Sequence, residues 1–254
     1  MKMSGHSKWS TIKRQKESAD KKRGQAFTKI GRSITLVAKS GTDPETNFKL
    51  RMIIEKAKAA NMPKANIERI LEKVRKGGEG AGLTEILLEG FASDKVAILV
   101  EATTDNPNRT ISELRSLFSK NGASLGERGS VSHFFSQAGL IFVAKDGRAI
   151  EAAMLDLMDI GEVEDIEEVE GGFEVYTKVE ALHAVKVAIE AKNYQVREAE
   201  IIWKPIILVE VKDRERALRI LDFLETLEEC DDVQKVYSNL DIADEILNHA
   251  DFGN

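Results

Sequence analysis

Residues 139–203 read GLIFVAKDGRAIEAAMLDLMDIGEVEDIEEVEGGFEVYTKVEALHAVKVAIEAKNYQVREAEIIW, and the order of apolar runs in this stretch decides the fold. Leu140 to Ala144 is a strand-length apolar run, and Arg148 to Met158 carries helical spacing. Val163 to Val169 and Phe173 to Thr177 form a strand pair around Gly171-Gly172, Val179 to Ala191 is again helical, and Val196 to Trp203 is a closing strand. Strand, helix, strand, strand, helix, strand is the ferredoxin-like order, an antiparallel sheet with two helices on one side.

On either side of this stretch lie the parts of a second, similar unit. Ahead of it, Ile86 to Phe91 and Val96 to Thr103 read as strands, and Pro107 interrupts. Thr110 with Glu113 three residues later is a capping box that opens a helix through Ile111, Leu114, Leu117 and Phe118. Asn121-Gly122 ends that helix, and Val131 to Phe135 is expected to be a further strand. Behind it, Ile206 to Val211, a helix from Arg214 to Leu227 and Val233 to Tyr237 supply the missing half. Residues 139–203 are therefore expected to be an α+β domain inserted in another, built from 81–137 plus 204–240.

The remaining front segment differs in charge. Residues 1–76 hold 20 Lys plus Arg against 7 Asp plus Glu, a net of +13, whereas residues 77–254 carry a net of −19. The overall charge of −6 hides a basic block joined to an acidic one. Gly77-Gly78-Glu79-Gly80-Ala81-Gly82 separates them with the composition of a hinge. Within the basic block, Phe27, Ile30, Ile34 and Val37 recur on one helical face, with Lys29 and Arg32 on the outer side. Asp43-Pro44 is expected to cap and open the next helix, with Leu50, Ile53, Ile54 and Ala57 inward. After Asn61-Met62-Pro63, Ile67, Ile70, Leu71 and Val74 mark a third, with Arg69, Lys73 and Lys76 opposite. The expected architecture is multidomain α and α+β. An N-terminal three-helix bundle with a mobile tail, 1–80, precedes two ferredoxin-like α+β domains, one inserted in the other.

With 254 residues, 42% hydrophobic and 31% charged, the chain can bury a core and stay soluble. Its lone Cys230 excludes an internal disulfide and a Cys-rich zinc site. The longest aliphatic runs, Ala97 to Val100 and Ile206 to Val209, are far too short to span a membrane, and Met1 to Trp9 lacks the apolar stretch of a secretory signal. The cytoplasm is the expected address.

Catalytic spellings fail on context. Gly122-Ala123-Ser124-Leu125-Gly126 matches G-x-S-x-G, but a helix precedes the serine and a strand follows, the reverse of a nucleophile elbow. Gly78, Gly80 and Gly82 lack the G-K-[ST] of a phosphate loop. His6, His133, His183 and His249 have no metal-ligand spacing, and the acidic run from Glu162 to Glu170 lacks the calcium-loop pattern. No enzyme, cofactor, metal or small-molecule substrate is expected.

The basic block instead points to a polyanion. Lys8, Lys13, Arg14, Lys16, Lys21, Lys22 and Arg23 crowd a tail whose only large apolar groups are Trp9 and Ile12. Such a segment suits phosphate contacts that release counterions. Two readings stay open for Trp9, stacking on an unpaired base or anchoring the tail to the bundle. Lys29 and Arg32 extend the basic face. Arg109 either reaches a phosphate or serves the turn around Asp105 to Thr110. No recognition-helix signature selects a DNA base code, and structured RNA is read through shape and backbone, so DNA and ribosomal RNA both remain as targets.

Several stretches together carry a family resemblance: Gly5-His6-Ser7-Lys8-Trp9, Phe27-Thr28-Lys29, Gly41-Thr42-Asp43-Pro44 and Ala59-Ala60-Asn61-Met62-Pro63. Thr104-Asp105-Asn106-Pro107-Asn108-Arg109-Thr110 and Leu125-Gly126-Glu127-Arg128-Gly129-Ser130-Val131 continue it. The chain resembles the YebC/PmpR family, whose mitochondrial relatives include the translational activator of cytochrome c oxidase. That resemblance implies three domains, the third inserted in the second, and no enzymatic activity. Its members are described as DNA-binding transcriptional regulators and as ribosome-associated factors in translation. Where the family has an aromatic-Gly-Pro-Gly-Gly turn, this chain has Phe91-Ala92-Ser93-Asp94-Lys95. The expected function is a nucleic-acid-binding regulator of gene expression. The alternatives are a ribosome-associated translation factor binding ribosomal RNA, and a protein-interaction adaptor.

Overall fold

The computed structural model describes residues 19–77 and 82–242, with side chains from residue 24 onward. They form mixed α and β structure with antiparallel sheets, in two compact units. One unit comprises the described residues up to His133 together with Val211–Ser238, and the other comprises Phe134–Glu210 with residues 239–242.

The first unit opens with three helices: α1 (Ala19–Ala38), α2 (Phe48–Ala59) and α3 (Lys64–Arg75). Ile30, Ile34, Leu50, Ile54, Ala57, Ile67 and Leu71 form their shared buried core, with Met62 closing it from the connection. Asp43-Pro44 does not start α2, whose cap is Asn47, four residues after Asp43. The Asn47 amide accepts from the Leu50 N–H (3.1 Å) and donates to the carbonyls of Val37 (3.1 Å) and Gly41 (2.8 Å). A carboxylate can accept but cannot donate, so Asp43 could not hold both sides of this connection. Asp43 instead forms the preceding turn, accepting from the Glu45 and Asn47 N–H groups.

Strands β1 (Thr84–Phe91) and β2 (Ala97–Thr104) follow as an antiparallel hairpin. Helix α4 (Pro107–Lys120) starts earlier than the Thr110 capping box implies, because Asn106 is its cap and accepts from the Arg109 N–H. The short β3 (Ser124–Leu125) pairs with β1 at Gly90. A Cβ at Gly90 would lie 2.4 Å from Phe118 Cε1 and 2.6 Å from the Ser124 carbonyl, so glycine is required for α4 and β3 to approach.

In the second unit, β4 (Phe135–Ala144), α5 (Ile150–Met158), β5 (Val163–Val169), β6 (Gly172–Thr177), α6 (Leu182–Ala191) and β7 (Val196–Pro205) build a four-stranded sheet in the order β5-β6-β4-β7. The separate strand expected at Val131 to Phe135 is absent: Ser132–Phe134 is a 3₁₀ turn, and β4 runs unbroken through Gly139. Gly139 marks a close approach instead, since a Cβ there would meet Thr177 Cγ2 at 2.8 Å and Leu182 Cδ1 at 3.0 Å. Next, β8 (Val209–Val211) precedes α7 (Arg214–Glu228) and β9 (Val233–Ser238), and β10 (Leu240–Ile242) pairs with β8. The first unit's sheet has the order β3-β1-β2-β9, and α4 meets α7 through an edge-to-face Phe118–Phe223 contact with centroids 5.0 Å apart.

The β1–β2 turn explains the departure at 91–95. Asp94 (φ 56°) and Lys95 (φ 61°) are both left-handed, and the Val96 N–H donates to the Ser93 carbonyl, as in the type I′ hairpin turn. These two positions are where the related turn carries Gly-Gly. Asp tolerates the conformation and is held by Arg216 at 2.9 Å, whereas Lys has no such compensation in the backbone. Lys95→Gly should raise stability by about 0.5 to 1 kcal/mol, after the entropy glycine gains in the unfolded chain is deducted. Chemical denaturation checks this, and a loss of stability would contradict the turn assignment.

Candidate nucleic-acid interface

Helix α1 presents Gln25, Lys29, Arg32 and Ser33 on one row, and this row meets the end of α7. Helix α7 has no basic residue in its last turn and carries Glu225, Glu228 and Glu229 there, against its own dipole. Its open carbonyls are capped from α1 instead. Lys29 Nζ donates to the Glu228 carbonyl and Gln25 Nε2 to that of Glu229 (3.4 Å), and beyond the helix Arg32 Nη1 donates to the Asp231 carbonyl (2.5 Å). The same Arg32 nitrogen lies 2.7 Å from Asp232 Oδ1, and Ser33 Oγ pairs with Gln234 Oε1 at 3.2 Å.

Asp232 is the node of this contact. Its side chain is 8% exposed, and its other oxygen accepts from Arg109 Nη2 (2.9 Å) and Thr110 Oγ1 (2.6 Å). Burial opposes its ionisation, but the Thr110 and Arg109 hydrogen bonds, the Arg32 charge and the Thr104 hydroxyl outweigh it and hold the carboxyl below its ordinary value. Arg109 is correspondingly raised, first by its hydrogen bond to Asp232, and also pairs with Asp105 at 3.1 Å. The Asp105 to Thr110 segment is thus a helix start clamped to Asp232, and Arg109, half exposed, is its polar edge. Cys230 lies in the same turn, with its thiol pushed up to about 11, mainly by burial and next by the charge of Glu113.

A second buried carboxylate organises the segment from Leu125 to Val131. Glu89, on β1 and 3% exposed, accepts from the N–H groups of Gly129 (2.7 Å), Val131 (2.7 Å) and Ser132 (2.8 Å). Burial pushes its pKa up, but these backbone donors overcome that and leave it lowered. They also explain why Val131 and Ser132 have no strand partner. The loop so pinned leaves Glu127 and Arg128 exposed. Ser124 sits in β3 directly after a helix, without the strand–serine–helix geometry of a nucleophile elbow.

Of the residues expected to contact nucleic acid, Lys8, Trp9, Lys13, Arg14 and Lys16 lie outside the described residues. Lys21, Lys22 and Arg23 belong to the first turns of α1, and their side chains also lie outside the described residues. The structure brings Lys29, Arg32 and Arg109 together around 228–232, with Lys29 and Arg32 turned onto α7. Sequence reasoning missed Asp232 and Glu89. Glu89 has a visible signal, an acid beside Gly90 after the apolar run Ile86 to Leu88, whereas Asp232 is one carboxylate among many in an acidic run.

Two family models cover nearly the whole chain: the TACO1/YebC protein N-terminal domain matches residues 7–77, and the TACO1/YebC second and third domain matches residues 83–240. The chain belongs to the TACO1/YebC family. A probable transcriptional regulatory protein of Syntrophomonas wolfei is 44% identical over 249 residues, covering 96% of this chain and 99% of the relative. One from Fusobacterium nucleatum is 44% identical over 250 residues, covering 98% and 100%. The crystal structure of a conserved hypothetical protein, Aq1575, from Aquifex aeolicus superimposes with a TM-score of 0.83 at 41% identity, covering 90% of this chain and 94% of that one. No helix among the described residues is long and apolar enough to cross a membrane.

Within this TACO1/YebC chain, Asp232 and Glu89 are two buried carboxylates that contribute to acid sensitivity. Their folded pKa values lie below the unfolded ones, so each contributes stability above about pH 4 that is lost as pH falls through the folded value. Asp232→Ala should cost about 1 to 3 kcal/mol, because it removes the acceptor shared by the Thr110 hydroxyl, Arg32 and Arg109. It should also flatten the fall in stability as pH drops below the ordinary carboxylate range of about 4. Urea unfolding across that pH window measures both, and an unaltered profile would remove Asp232 from the role of node.

Proposed function

We propose that this chain is a non-enzymatic regulator of gene expression that grips nucleic acid, foremost DNA, through residues 1–80. In this reading 81–137 plus 204–240 and 139–203 are two ferredoxin-like α+β domains, one inserted in the other, that orient the complex. The observation that carries it is the concentration of +13 on the first 76 residues of a chain whose remainder carries −19. The regulatory names of the full-length relatives support the same direction.

Lys8, Lys13, Arg14, Lys16, Lys21, Lys22 and Arg23 are proposed as phosphate contacts, with Trp9 stacking on a base. Lys29, Arg32 and Arg109 are proposed as a second set at the junction of α1 with α7. The acidic remainder repels a polyanion and so restricts contact to the basic side. Ribosomal RNA is the second reading, favoured by a tail suited to shape and backbone recognition, with the cytoplasm as the proposed location in either case.

Crosslinking in cells followed by sequencing of both RNA and DNA separates the two targets. Changing Lys13, Arg14, Lys21, Lys22 and Arg23 together to Ala should weaken binding to all sequences. It should also reduce the slope of log affinity against log salt by up to about 4.5 for duplex DNA. An unchanged slope, or recovery of protein partners alone after nuclease, would favour the adaptor and overturn the proposal.

A further inference from the structure

Two cations that a polyanion would need on α1 are already engaged within the chain. Lys29 and Arg32 face the Glu228 and Asp231 carbonyls and the Asp232 carboxylate, a row of oxygens at the negative end of a helix. A phosphate backbone offers the same chemistry, oxygen acceptors with negative charge. We propose that residues 228–232 are an internal stand-in for phosphate: a latch that covers the Gln25, Lys29 and Arg32 face of α1 and that a nucleic-acid backbone displaces. The proposal rests on the nucleic-acid reading and adds its regulation.

Three features make the contact separable. Release of Arg32 leaves Asp232 Oδ1 to water, while Arg109 and Thr110 still hold the other oxygen at 2.9 and 2.6 Å. The freed α7 carbonyls turn to water, the usual recourse of a helix end. Gln234 Nε2, which is buried and has no hydrogen-bond partner among the described residues, sits at this contact on the residue whose Oε1 pairs with Ser33, and it gains solvent on opening. The latch also lies where binding would reach it. Positions 21, 25, 29 and 32 are three or four residues apart along α1, so a backbone engaged at the start of the helix runs along the row toward the latch. The α1 face and residues 228–232 lie on different elements, so opening breaks no helix or sheet among the described residues.

The test locks the contact. In a Cys230→Ser background, Ser33→Cys and Gln234→Cys are bridged by a short bis-maleimide and compared with the same variant left unbridged, using duplex DNA and structured RNA as probes. The bridged protein should bind about tenfold more weakly. Its salt slope on duplex DNA should be shallower by about 1.8, the share of two phosphates. Equal affinity and slope would overturn the latch while leaving the nucleic-acid reading intact, failure of the bridge to form would overturn the contact itself, and absence of binding by either form would overturn both. Hydrogen exchange on the unmodified chain gives an independent readout. Added polyanion should lower amide protection in 226–234, and raised or unchanged protection there in a protein that binds would count against displacement.

Discussion

A buried carboxylate that answers two arginines from different parts of the chain is the constraint on which the first unit depends. Asp232 joins Arg32 of α1 to Arg109 at the start of α4, and its backbone carbonyl accepts from Thr103 at the end of β2 (2.8 Å). Bundle, sheet and helix start therefore converge on one residue. The arrangement is economical in charge because each oxygen has its own donors, which is the condition under which a buried ion contributes rather than penalises. It also turns an apparent flaw into a device: α7 ends in three glutamates where cations belong, and α1 supplies the missing cations from outside.

Much of this was legible in the residues, and the failures have local causes. Helical spacing found all three bundle helices, because apolar burial sets their period and Ile34, Leu50 and Ile67 leave little choice of face. It misplaced the start of α2, because Asp43-Pro44 satisfies the capping rule on paper while only Asn47 can both donate and accept. Gly139 looks like a break for the same reason that it is needed, since glycine marks both a chain interruption and a tight approach. The residues expected to face nucleic acid were chosen by charge. Charge alone cannot tell Lys29 and Arg32, which meet α7, from cations that face water, since the partner lies about 200 residues away in the chain.

That distance matters for what the acidic block does. A carboxylate cluster far from the basic segment in sequence can act on it only if the fold brings them together, and at 228–232 it does. The electrostatic attraction that would draw α1 to phosphate is then opposed by attraction to its own α7, and in the proposed latch the net affinity is the difference between the two. The phosphate contacts are exposed and weaken with salt, whereas the internal contact to the buried Asp232 is screened less. A chain built this way gains discrimination: an isolated anion does not repay the lost internal contacts, whereas a continuous backbone that also engages the start of α1 does. The latch thus favours long, regularly charged partners over scattered ones without any base-reading element, which fits a helical segment that carries no recognition-helix signature.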